Sequence, residues 1–266
     1  MTELLVGGSK IESRIFEATQ KGTPALAAFI TGGFPDRENF GDALERIADA
    51  ADVIEIGIPF TDPMADGITI QRASHEALAN GTTLPWILDT IGSLELTTPI
   101  LLMSYLNPLI ARGFHRVAAH ARDAGVSGMI IPDLPFEESI PIQQAMAEHG
   151  LALTQLVAPN TPQDRLETVC NASRGFVYAV ATMGTTGGSS PDQKEVKSYL
   201  ENVKQAAAVP VLAGFGIRTP RDVTAVCPPA DGVIVGSAVI EALERGEDPG
   251  KFLTNLRRDA GDLEAQ

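Results

Sequence analysis

Residues 52–67 read DVIEIGIPFTDPMADG, and the first half of that stretch decides the architecture. Val53, Ile54, Ile56 and Ile58 form a short β-branched run between Asp52 and Pro59, which is the composition of a strand bounded by turn residues. Apolar residues occupy both alternating faces, so the strand is expected to be buried on both sides, as in a parallel sheet. Glu55 interrupts this run, and Asp52, Asp62 and Asp66 crowd around it. A carboxylate among such neighbours loses hydration, which disfavours its charged form and raises its pKa. Burying one costs several kcal/mol unless partners are supplied, a cost that another valine would avoid.

Seven similar runs lie outward from this one. They are PALAAFIT from Pro24, TPILLMSY from Thr98, VSGMIIPD from Val126, LALTQLVAP from Leu151, GFVYAVAT from Gly175, VPVLAGFG from Val209 and ADGVIVGSA from Ala230. Successive starts are separated by roughly 20 to 45 residues, room for a strand, a loop and a crossover helix in each repeat. Eight such units in about 250 residues match a closed (β/α)8 TIM barrel. The open doubly wound sheet is the structural competitor, but no GxGxxG follows the first strand and eight regular units exceed its usual need. No linker or composition shift divides the chain, so 1–266 reads as a single barrel domain of α/β class. An extra N-terminal helix is expected from about Ser9 to Lys21, with Ser9 as N-cap and Glu12 completing a capping box.

Bulk properties narrow the function. At 266 residues and 44% hydrophobic content, the chain can bury a sizeable core. No stretch approaches about 18 uninterrupted apolar residues, and the polar N-terminus lacks a signal-type apolar region, so a cytoplasmic, soluble protein is expected. A net charge of −14 would repel a phosphate backbone, which argues against nucleic-acid binding. Cys170 and Cys227 share no metal-ligand spacing, and both read as buried apolar filler; no metal site is expected.

In such a barrel the chemistry sits at the strand C-termini and the loops that follow them. Glu55 lies toward that end of the second strand. It reads as a proton-transfer group, against the alternative of a structural ion pair with a neighbouring strand. Asp66 and Asp62, in the next loop, are candidates too, although an N-cap or turn role would explain either. Glycine segments end three adjacent late strands: MGTTGGSS, GFGI and VGSAVI. Loops after strands seven and eight, with a helix opening at Ser237, are the usual phosphate site of this barrel, so a small phosphorylated substrate is expected. Phe29, Tyr178 and Phe215 stand near strand ends and would line an apolar slot for a flat ring, or else fill the core. His75, His115, His120 and His149 fall in helices or their ends, where surface or packing roles are expected. Asp133, in IPDLPFEES, sits in a proline-stiffened loop suited to a contact surface.

Together, ITGGFPD, EIGIPFTDPMADGITIQ, IIPDLPFEES, LVAPNTP, GFVYAVATMGTTGG, AGFGI and VIVGSAVI resemble the tryptophan synthase alpha subunit family, in family order and over nearly the whole chain. The resemblance implies a (β/α)8 barrel that cleaves indole-3-glycerol phosphate to indole and glyceraldehyde 3-phosphate without a cofactor. It makes Glu55 the catalytic glutamate and Asp66 the aspartate that orients the indole. Tyr178 matches the tyrosine beside that glutamate, and Phe29 and Phe215 match indole-pocket positions. Gly187, Gly216, Gly236 and Ser237 match the phosphate grip, and Thr186 the threonine of a loop that closes over the site. The resemblance also implies a partner, a pyridoxal phosphate-dependent beta subunit in an alpha2-beta2 complex, touched by the loop of Asp62 and Pro63 and by the loop of Asp133 and Pro135.

Three segments depart from the family pattern. GTTGGSS replaces GVTG, DGITIQ replaces DGPTIQ, and APNTP replaces APTTP. The added glycine and serines raise the entropic cost of ordering the closing loop. Competing readings are therefore a free-standing indole-3-glycerol phosphate lyase of a specialised pathway and a catalytically weak barrel that binds and activates a beta subunit.

Overall fold

The computed structural model describes residues 7–180, 193–214 and 216–264. The order is α1 (Gly7–Gln20), β1 (Ala25–Thr31), α2 (Phe40–Ala48), β2 (Val53–Gly57), α3 (Ile68–Ala79), α4 (Leu84–Ser93), β3 (Ile100–Met103), α5 (Leu106–Ala111), α6 (Phe114–Asp123), β4 (Gly128–Ile130), α7 (Ile140–Glu148), β5 (Ala152–Val157), α8 (Gln163–Ala172), β6 (Val177–Val180), α9 (Gln193–Ala206), β7 (Val211–Gly214), α10 (Pro220–Val226), β8 (Gly232–Val235), α11 (Ser237–Glu244) and α12 (Pro249–Glu264). All strand pairs are parallel, and the barrel closes in chain order with β8 against β1. Each of the eight apolar runs contains one strand. Not every repeat carries a single helix, however: two follow β2, β3 and β8.

Strand alternation sorts the apolar residues into two cores. Leu26, Ala28, Ile30, Ile54, Ile56 and Leu102 face outward and pack with residues of the surrounding helices, such as Leu44 and Ile87. Ala25, Ala27, Val53, Leu101, Ile130, Leu212 and Ile234 face inward and fill the barrel. Ile11, Ile15 and Ala18 of α1 belong to this inner core. The extra helix therefore closes the barrel's N-terminal end, and only the C-terminal end is left for a site.

That packing also corrects the expected start of α1. Gly7 and Gly8 are already helical, so Ser9 lies inside the helix and does not cap it. Glu12 completes no capping box; its Oε1 accepts the Gly175 N–H at 3.1 Å instead, tying the plug to the strand entrance before β6. Both cysteines are buried. Among the described residues, no helix is long and apolar enough to cross a membrane.

Candidate active site at the barrel mouth

β2 brings Glu55 to the inner face. Its ladder neighbours are Phe29 on β1 and Leu101 on β3, whereas Ile54 and Ile56, expected from the sequence to surround it, point the other way into the helix layer. The desolvation expected from the sequence is nevertheless real. Glu55 is 0% exposed, neither carboxylate oxygen has a hydrogen-bond partner among the described residues, and burial pushes its pKa up to about 8. Among the described residues no ion pair explains it, and the structural alternative loses its support there.

Holding this acid has a thermodynamic signature. Its folded pKa of about 8 lies above the ordinary 4.5, so between those values the native state binds more protons than the unfolded one. Stability therefore falls as pH rises through that window, and at pH 7 the loss is about 3 kcal/mol. The fold keeps a group that weakens it.

Two glycines make room for the aromatics around Glu55. A Cβ on Gly57 would stand 2.5 Å from Phe29 Cζ, and one on Gly214 would stand 2.6 Å from Tyr178 Cε1. The far end of each ring thus lies against bare backbone, a close approach only glycine allows. Phe29 is buried, while Tyr178 is half-buried. Desolvation raises the Tyr178 pKa well above its usual value, and the charges of Glu55 and Asp66 add to the effect. The tyrosine is therefore a neutral neighbour of both carboxyls.

Asp66 occupies the loop between β2 and α3. The cap of α3 is Gly67, without a side-chain hydrogen bond, so the N-cap explanation of Asp66 does not hold. Desolvation raises the Asp66 pKa, and the Tyr105 hydroxyl lowers it in part. Tyr105, at the end of β3, was not singled out from the sequence, where its place in TPILLMSY just past the strand was the available signal.

On the far side, Gly236 caps α11 and its carbonyl takes the Val239 and Ile240 N–H groups at 2.9 and 3.3 Å. The N–H groups of Ser237 and Ala238 precede the first helical bonds, as at any helix start, and so remain for an anion. A Cβ on Gly236 would lie 3.7 Å from Phe29 Cβ, which sets this end of the mouth beside the aromatic slot. Gly216 has φ +67°, a left-handed turn after β7. Thr186, Gly187 and Phe215 lie outside the described residues.

The contact candidates separate by exposure. Asp62 is exposed and its Oδ2 accepts the Thr61 hydroxyl at 2.6 Å; Pro63 beside it is half-buried. Asp133 is half-buried and turned inward, accepting the Leu106 N–H at 2.8 Å, while Pro135 is exposed before a short 3-10 helix, Phe136–Glu138. The histidines stay off the mouth: His75 and His115 lie within helices, His149 ends α7, and His120 pairs with Asp89 at 3.0 Å. Among the described residues no cluster of His, Cys, Asp or Glu could hold a metal ion.

A shielded acid under aromatic rings, with an open helix start across the mouth, defines a (β/α)8-barrel enzyme. Residues 15–266 match the family described as tryptophan synthase alpha chain, and the chain belongs to that family. The tryptophan synthase alpha chain of Solidesulfovibrio magneticus is 43% identical over 252 residues, covering 94% of this chain and 98% of the relative. That of Geobacter sulfurreducens is 40% identical over 262 residues, covering 95% and 99%. The crystal structure of tryptophan synthase subunit alpha from Legionella pneumophila superposes with a TM-score of 0.85 at 33% identity, covering 95% of this chain and 98% of that one.

Proposed function

We propose that Glu55 and Asp66 carry the reaction of this family, the cleavage of indole-3-glycerol phosphate to indole and glyceraldehyde 3-phosphate. The chain is a carbon–carbon lyase of tryptophan biosynthesis. Glu55, protonated at neutral pH because of its burial, delivers its proton to indole C3, which places a positive charge on the ring. The resulting carboxylate then takes the proton of the adjacent glycerol hydroxyl. A carbonyl forms there, the bond to C3 breaks, and its electron pair returns to the ring. One carboxyl poised near neutrality performs both transfers and ends protonated again. Asp66 accepts the indole N–H and stabilises the ring's developing charge. Phe29, Tyr178 and Phe215 hold the ring, and Gly187, Gly216, Gly236 and Ser237 hold the phosphate. Thr186 belongs to the loop that closes over the site.

The observation that carries this reading is Glu55, wholly buried with neither oxygen bonded among the described residues. A fold has no reason to keep so costly a group without chemistry for it. The reading needs no cofactor in this chain; pyridoxal phosphate belongs to a beta subunit. The family resemblance implies an alpha2-beta2 complex in the cytoplasm; a contact with a partner is supported by Met64, in the loop of Asp62 and Pro63, and Ile68, at the start of α3, 80% and 79% exposed, apolar surface suited to burial. Asp133 and Pro135 extend that contact.

Indole release from indole-3-glycerol phosphate tests both parts. Weak release by the chain alone, stimulated by a beta subunit and abolished in Glu55→Gln, is expected. Fast release without stimulation would mean an independent lyase, and no release in either condition would overturn the catalytic assignment.

A further inference from the structure

Asp66 is placed by a loop, and a loop residue that must aim a charge across a mouth needs something to aim it. Tyr105 is the residue that meets this loop. It follows β3, is 5% exposed, and packs its ring against Phe60, centroid to centroid 5.4 Å. Its hydroxyl oxygen accepts the Ala65 N–H at 2.8 Å. An oxygen that accepts from Ala65 still has its own proton to give, and the next residue of the loop is Asp66, whose pKa this hydroxyl lowers. Tyr105 is itself held from behind. The next residue, Leu106, donates its N–H to Asp133 Oδ1 at 2.8 Å, and Ser104 donates its N–H to Ile130 O at 3.0 Å. The end of β3 is thus pinned to β4 and the loop after it, while the tyrosine reaches the other way to the loop after β2.

We propose that Tyr105 is a positioning residue for Asp66: from the pinned end of β3 its ring and hydroxyl grip the loop after β2, and its hydroxyl proton keeps the Asp66 carboxylate aimed at the bound indole N–H. The proposal rests on the Asp66 role given above. Tyr105 touches no reacting atom; it acts through its grip on Ala65, the residue before Asp66, and through a hydroxyl proton offered to a carboxylate, the stronger kind of hydrogen bond. The titratable groups around the pair are Tyr178, which feels the charge of Asp66, and Asp133, which faces Tyr105.

Tyr105→Phe keeps the ring on Phe60 and removes only the hydroxyl. In the full-length chain it is expected to lower kcat for indole release about ten-fold, the usual effect of losing a hydrogen bond to a charged group. The acid limb of the pH–rate profile should also move up, because ionised Asp66 has lost a donor. In an Asp66→Asn background the same change should add little. Unchanged kcat with an unmoved acid limb in Tyr105→Phe, or an equal loss in both backgrounds, would overturn the proposal and leave Tyr105 a packing residue. If Asp66→Asn alone keeps full turnover, the Asp66 role itself fails and the proposal goes with it. Thermal melting of Tyr105→Phe within a few degrees of wild type separates these outcomes from unfolding.

Discussion

Glu55 and Asp66 present the same carboxyl group to one barrel mouth, yet the molecule holds them by different means. Glu55 sits on a strand, where ladder bonds to β1 and β3 fix its backbone and the inner core surrounds it. Among the described residues neither of its oxygens has a partner, and burial raises its pKa to about 8. Asp66 sits on a loop, partly exposed, with a tyrosine hydroxyl that moderates the rise. A regular element can place an acid by packing alone and leave it desolvated and protonated. An irregular segment has to place its acid with hydrogen bonds, and these favour the ionised form. The proposed roles, proton donor for Glu55 and charge acceptor for Asp66, ask for this difference between two carboxyls at one site.

The sharpest way to break this contrast is Glu55→Gln. It should lower kcat by about 10²–10⁴, the range for loss of a general acid–base, as read by indole release. It should also raise stability relative to wild type, increasingly from pH 5 to pH 8, by up to about 4 kcal/mol at pH 8 in urea titrations. A mutant no more stable at pH 8 than at pH 5, relative to wild type, would show that Glu55 is not a buried, raised acid. In the wild-type enzyme kcat/KM should fall as pH rises through about 8, where free Glu55 gives up its proton. Asp66→Asn should cost about 10²-fold in kcat with little pH-dependent gain in stability. Gly214→Ala tests the space reserved for Tyr178: the added methyl meets the ring at 2.6 Å and should destabilise by about 1–3 kcal/mol, measured by denaturant midpoint. The smallest effect is expected from replacing Met64 and Ile68 by serine. Stability and activity of the chain alone should stay within about 0.5 kcal/mol of wild type, while stimulation by a beta subunit weakens.

Much of this was legible in the residues. Eight apolar runs with crossover spacing led to a closed parallel barrel, because strands buried on both faces leave continuous rather than alternating apolarity. Glu55 was visible as an acid inside such a run. Its surroundings were not, since Ile54 and Ile56 are neighbours in sequence but face the helices. Glu12 had the pattern of a capping box, yet a contact with Gly175, far away in sequence, took it. Tyr105 and the glycines that admit Phe29 and Tyr178 carried no local pattern, because their partners come from other strands.

Sequence alone determined the strand count, the parallel closure and the type of residue at the mouth, since burial and helical or strand periodicity are written locally. Which way each side chain points, and therefore that Glu55 meets Phe29, Leu101 and Tyr178 and that Tyr105 holds the loop of Asp66, was decided only by tertiary structure. Those contacts join strands and loops distant in sequence, and their register follows from closing the barrel and not from any single segment.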